Sequence, residues 1–361
     1  MDAPFPAGLP FPTAAYLVLY LVTLWVHIAF MNYVLAGSAT LAAGLVLGGR
    51  ASREQPICAL LRDWMPFMLS AAITAGVAPL LFLQVLYKEQ FYTANLLLFF
   101  RWMAILPALI LGFYLGYLLK TGPGRGRVWL GLGVFACFLF VGWSWVENHL
   151  LSVQPVGTWQ AHYAAGAHAY ASPELLPRLF LWFVAGFPTM ALMVGWQLWD
   201  RARRGKGDFS DGARAGAAIG LGGVLASALW AWRYYHLMGE TAQEAVAGPA
   251  AKPYLFLSIA GGAVELAAFA GLLRMARWSG GWLALGSAGL VLNFVGTGVM
   301  NETIRLALLD RTVGLAALAA RHAESWKVGG FPVFLFFLAA NVALMALCIR
   351  RVRRLPSPPA G

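Results

Sequence analysis

FPTAAYLVLYLVTLWVHIAFMNYVLAGSATLAAGLVLGG, residues 11–49, runs without one charged side chain until Arg50. About 20 apolar residues already cross the hydrocarbon of a bilayer as a helix, so this stretch predicts a membrane-spanning helix with His27 inside it. Lipid offers an imidazole no partner, and an ionisable side chain in that position is a candidate functional residue. Two roles fit. The ring can hydrogen-bond Thr23, Asn32 or a neighbouring helix and hold a bundle together, or a ring nitrogen can bind a haem iron, a common task for a neutral buried imidazole.

The remainder of the 361 residues repeats the pattern, with 60% hydrophobic and only 11% charged residues, far from the balance of a soluble domain. Apolar segments fall at roughly 13–48, 64–87, 95–119, 128–150, 176–199, 215–238, 253–273, 282–304 and 331–349. The expected fold is therefore all-α: a polytopic membrane protein of about nine transmembrane helices, forming a single transmembrane domain over residues 1–361.

The net charge of +11 does not point to nucleic acid, because the cations sit in alternate connections. Arg50, Arg53 and Arg62 form the first group, Lys120, Arg125 and Arg127 the second, and Arg201, Arg203, Arg204, Lys206 and Arg214 the third. Arg274 and Arg277 follow, then Arg350, Arg351, Arg353 and Arg354, which together make 17 of the 26 basic residues. Such clusters mark the cytoplasmic side. The expectation is an outside N-terminus and a cytoplasmic C-terminus in a bacterial inner membrane. Residues Met1 to Pro12 lack a basic n-region and a small-residue cleavage site, so no signal peptide is expected and the first helix stays. Cys58, Cys137 and Cys348 are scattered, with no CxxC and no CxxCH. Neither a zinc site nor a covalently attached c-type haem is encoded, and any haem is held non-covalently.

Five of the six histidines fall at or beyond the end where the first helix begins: His149 and His236 at helix ends, His162, His168 and His322 in connections wet enough to accept them. Carboxylates within the helices are few. Glu265 lies among small residues in AGGAVELAAF, where it either pairs with a polar group of another helix or takes part in proton movement. Glu302 and Arg305 share a helix face near the end of the eighth segment, in GTGVMNETIR. Arg101 stands in LLLFFRWMAILP, close to the same interface, where it can snorkel.

With these helices and a histidine in the first, the chain resembles subunit I of the cytochrome bd-type terminal oxidases. HIAFMNYVLAG is similar to that family's pattern of a histidine followed three residues later by phenylalanine, here His27 and Phe30. DWMPFMLSAAITAGVAPLLFLQ matches its tryptophan, phenylalanine and Gly-Val-Ala at Trp64, Phe67 and Gly76 to Ala78, and Glu302 to Arg305 keep its Glu-x-x-Arg frame. The family's Gly-Arg-Gln-Pro-Trp remainder is missing. So are the histidine and methionine of its low-spin haem, since RLFLWFVAGF and PYLFLSIAGG stand in their place, and so is its quinol-binding loop. The helix-three glutamates are gone too, with Arg101 near one of them.

The resemblance implies non-covalent haem of b or d type, its number left open, with His27 and Glu302 as axial ligands and Arg305 on a propionate. Arg101, His149 and His236 join them as candidate cofactor-binding residues, and Glu265 as a proton-path candidate. Without a quinol site, electrons would come from a c-type cytochrome or a second membrane subunit on the outer face, whether the chain is an oxidoreductase itself or its electron-transfer subunit. A haem-free anchor or transporter-like bundle with a polar His/Glu core is the alternative.

Overall fold

In a computed structural model of the chain, residues 3–48, 56–121, 126–205, 210–328 and 330–354 are described, and they are helical, without a strand. The long helices are α1 (Phe11–Leu47), α2 (Pro56–Leu86), α5 (Ile105–Thr121), α6 (Arg127–Ser152), α8 (Leu175–Arg203), α9 (Ser210–Tyr235), α11 (Lys252–Met275), α12 (Gly280–Thr312) and α14 (Gly330–Arg354). Between them lie the shorter α3 (Lys88–Leu97), α4 (Phe99–Met103), α7 (Val156–Ala164), α10 (Glu240–Ala247) and α13 (Leu315–Lys327). Among the described residues, eight helices are long and apolar enough to cross a membrane, and α13 with α14 makes a ninth if that pair, bent by 68°, counts as one span. The chain is an all-helical polytopic membrane protein.

Several boundaries differ from the sequence pattern for physical reasons. The segment expected as one helix over 95–119 is divided into α3, α4 and α5, and the apolar part begins at Phe99. Pro107 has no N–H to offer the carbonyl of Met103, where α4 stops. Helix α12 runs to Thr312, about two turns past the expected end, so Glu302 and Arg305 lie well inside it. Helix α2 begins two turns early and carries Arg62 and Asp63. The connections taken for wet loops contain α7, α10 and α13. Of the clustered cations, Arg50, Arg53, Arg125 and Lys206 lie outside the described residues, as do residues 1–2 and 355–361.

The long helices alternate in direction and give the bundle two ends. At one end α1, α8 and α11 begin, α2, α6 and α12 finish, and the short helices sit; we call it the capped end. There Tyr16 of α1 meets Phe82 of α2 and both Trp326 and His322 of α13. The other, basic end carries Arg62, Lys120, Arg127 and Arg201.

Apolar surface gains little by leaving lipid for protein, so helices in a membrane associate through close backbone contact and interhelical hydrogen bonds. Helix α1 is central: Asn32 to Ser38 are all buried, with Asn32 Nδ2 donating to Thr189 Oγ1 at 3.1 Å and the Tyr33 hydroxyl to Gln197 at 3.3 Å across to α8. Helices α11 and α12 touch backbone to backbone. A methyl group at Gly261 would lie 2.6 Å from the amide nitrogen of Asn293, so only glycine permits this approach.

A candidate cofactor site at the capped end

Helix α12 supplies the centre. Glu302 is 0% exposed and Arg305 5%; at i and i+3 they share a face, with Arg305 Nη1 3.4 Å from Glu302 Oε2. That separation is a charge contact without hydrogen-bond geometry, so Glu302 Oε2 and Arg305 Nη1 and Nε remain buried and unsatisfied. The other carboxylate oxygen accepts from the phenol of Tyr87, which sits where α2 gives way to α3. Burial raises the Tyr87 hydroxyl well above its ordinary range, and the adjacent Glu302 charge adds to the shift, so it stays protonated and donates. The Arg305 guanidinium stacks 4.9 Å from the Tyr87 ring and 6.0 Å from that of Tyr20.

Helix α6 adds three consecutive polar residues, each met by a different element. Arg101 of α4 pairs with Glu147 at 3.0 Å and lies over Trp143 at 5.8 Å. Asn148 donates to Asn95 of α3 at 2.6 Å. The ring of His149 lies against Arg305, with Nε2 3.3 Å from Nη2 and Nδ1 closer still. Because a guanidinium only donates, the facing ring nitrogen accepts. Arg101 is thus a buried carboxylate's partner, whatever its stem does at the interface.

His27 lies deeper. Seven residues, about 10 Å of helix rise, separate it from Tyr20. Its Nδ1 is 2.9 Å from the carbonyl of Ala72 on α2, and since a carbonyl only accepts, Nδ1 carries the hydrogen and Nε2 is left as the lone-pair nitrogen. Among the described residues Nε2 has no hydrogen-bond partner. The ring packs on Gly76, where a methyl group would come within 2.9 Å of Cε1. Trp25, two residues before His27, has a buried Nε1–H without a partner among the described residues, and it faces Gly298, one turn before Glu302.

The other expected residues are elsewhere. His236 is exposed beside Trp232 and Tyr235 at the end of α9. Glu265 is buried between α11 and α12, accepting from Asn293 at 3.2 Å. His322, read as a wet-loop residue, is 1% exposed; its Nδ1 meets Thr13 at 3.0 Å and its Nε2 the Leu86 carbonyl at 2.9 Å, tying α13 over Tyr87. His162 and His168 lie at the edge, against Tyr170 and Phe100.

Sequence reasoning missed Glu147, Asn148, Tyr87 and Arg178. The signal for the first two was available: Glu-Asn-His in SWVENHLL spans about 200° of an otherwise apolar helix. For Tyr87 no pattern existed, since a tyrosine at a helix end reads as an interfacial anchor.

Among the described residues no group of three or more His, Cys, Asp and Glu could hold a metal ion. The donor set fits a haem better: an anchored imidazole, a buried carboxylate, and unsatisfied N–H groups on Arg305 and Trp25 that could meet acid groups.

No family model and no curated protein matches the sequence. The fold is similar to a chain of the bd oxidase from Geobacillus thermodenitrificans, with a TM-score of 0.65 over 96% of this chain and 99% of that one, at 14% identity. The two chains share an architecture over almost their whole lengths.

Proposed function

We propose that the chain is a haem-binding membrane subunit in electron transfer, of the bd-oxidase kind and without quinol oxidation. The observation that carries this is His27, whose Nδ1–H is held by the Ala72 carbonyl while Nε2 has no hydrogen-bond partner among the described residues. Haem-ligating histidines are usually oriented by such an acceptor on the far nitrogen. The similarity of fold to a bd oxidase supports the reading.

In it, His27 and Glu302 would be the groups that hold haem iron, with Tyr87 orienting the carboxylate through its hydroxyl. Arg305 would hold an acid group of the macrocycle by a charge-assisted hydrogen bond, and His149 keeps that guanidinium in place. Haem bound there supplies one-electron chemistry at its iron; b- and d-type haems both suit these donors. Glu265, held by Asn293, is the proton-path candidate. Electrons arrive from a c-type cytochrome or a second membrane subunit docking at the capped end, where His236 is exposed and Arg101 partly so. The basic end faces the cytoplasm of a bacterial inner membrane, as clustered Lys and Arg require.

A reduced-minus-oxidised spectrum of the purified chain tests the reading. A haem band is expected. A colourless protein expressed with ample haem would favour a haem-free bundle, in which the bond from His27 to Ala72 only ties α1 to α2.

A further inference from the structure

The haem reading uses Arg305 and leaves aside a second arginine buried beside it. Arg178 projects from the first turn of α8 and is 4% exposed. Its Nη1 donates to the Tyr234 hydroxyl at 3.1 Å and its Nη2 to Asn301 Oδ1 at 2.6 Å, while Nε is buried and has no hydrogen-bond partner among the described residues. Asn301 is one turn before Arg305 on α12, so the two guanidiniums reach the same stretch of that helix. Both charges also act on the His149 ring and the Tyr20 phenol.

Neither buried carboxylate of this end forms an ion pair with Arg178 among the described residues. Glu302 pairs with Arg305, and the buried Glu147 pairs with Arg101. Glu174, half-buried just before α8, acts on Arg178 at longer range and through the Tyr234 hydroxyl that both share, and forms no ion pair with it among the described residues. A buried cation without a matched anion is costly, and the guanidinium fork suits a carboxylate held by two parallel hydrogen bonds.

We propose that Arg178 and Arg305 form a two-pronged clamp for a ligand bearing two carboxylates. Its application to the acid edge of a tetrapyrrole rests on the haem reading above. Tyr234 and Asn301 are positioning residues that keep Arg178 aimed while Nε stays available.

The test uses the full chain, purified in detergent and titrated with iron protoporphyrin and with its dimethyl ester, which lacks both acids. Wild type should prefer the diacid by on the order of a hundredfold, at about tenfold or more for each charge-assisted contact. Arg178→Gln should lower that preference about tenfold and leave affinity for the ester unchanged. Should Arg178→Gln fail to fold, Arg178→Lys, which keeps the charge and loses the fork, should lose part of the preference. Equal binding of diacid and ester by wild type would overturn the clamp and leave the haem reading standing. Binding of neither compound would sink the haem reading; the clamp is then decided by melting in glutarate, where stabilisation of wild type but not of Arg178→Gln supports it and an absent shift overturns it.

Discussion

The two ends of this bundle differ in the charge they bury. At the basic end the ion pairs lie outside the packing: Arg204 and Asp200 are 65% and 52% exposed, and Lys120 reaches the backbone of Asp63 from solvent. The interior beside them is apolar, built on Leu60, Leu61, Leu198, Phe269 and Leu283. The capped end has exposed pairs too, Arg311 with Glu244 and Arg321 with Glu89, but it alone also buries charge, with Glu302, Arg305, Arg178 and Glu147 beneath short helices among the described residues. Exposed pairs contribute between nothing and about 1 kcal/mol, whereas a buried charge that loses its partner costs about 3–5 kcal/mol. Arginines on the surface of a membrane protein orient it. Arginines within it need a partner or a ligand.

The comparison is most easily broken at Glu302. Glu302→Ala strands Arg305 in the interior and should cost about 3–5 kcal/mol, while Asp200→Ala at the opposite end should cost under about 1 kcal/mol. Thermal or denaturant unfolding in detergent measures both, and equal losses would erase the distinction between the ends. Tyr87→Phe keeps the ring against Arg305 and removes only the hydroxyl from Glu302; a loss of about 1.5–3 kcal/mol is expected. If that variant melts with wild type, the phenol does not restrain the carboxylate.

Gly76→Ala is smaller in stability, about 1 kcal/mol, because the His27 ring can yield to the new methyl group. Its haem band should nonetheless shift or weaken as the ring turns away from the Ala72 carbonyl. An unaltered spectrum would mean that the ring's orientation is irrelevant to any cofactor. Orientation sharpens the contrast without changing energies: a reporter after Arg354 should read as cytoplasmic and one near Gly166 as external. The reverse pattern would put the buried charges on the cytoplasmic side.

The spanning helices were legible because lipid imposes long apolar runs, and His27, Glu302, Arg305 and Glu265 stood out as rare polar residues within them. What stayed hidden was pairing. Arg101 read as a snorkelling side chain because nothing local links it to Glu147, 46 positions further along the chain. His322 read as wet because its partners, Thr13 and Leu86, come from helices at the other end of the sequence. Arg178 sits one turn into an apolar helix, where arginines commonly reach back to water; only the fold reveals that Asn301 and Tyr234 hold it inside.

The most direct measurement is the haem-to-protein ratio of wild type and His27→Ala, purified side by side, with His162→Ala as a control whose ratio should match wild type. Wild type should carry haem, and His27→Ala should lose most or all of it while eluting as a folded protein. Full haem content with an unchanged spectrum in His27→Ala would contradict the assignment and leave that imidazole as a tie between α1 and α2.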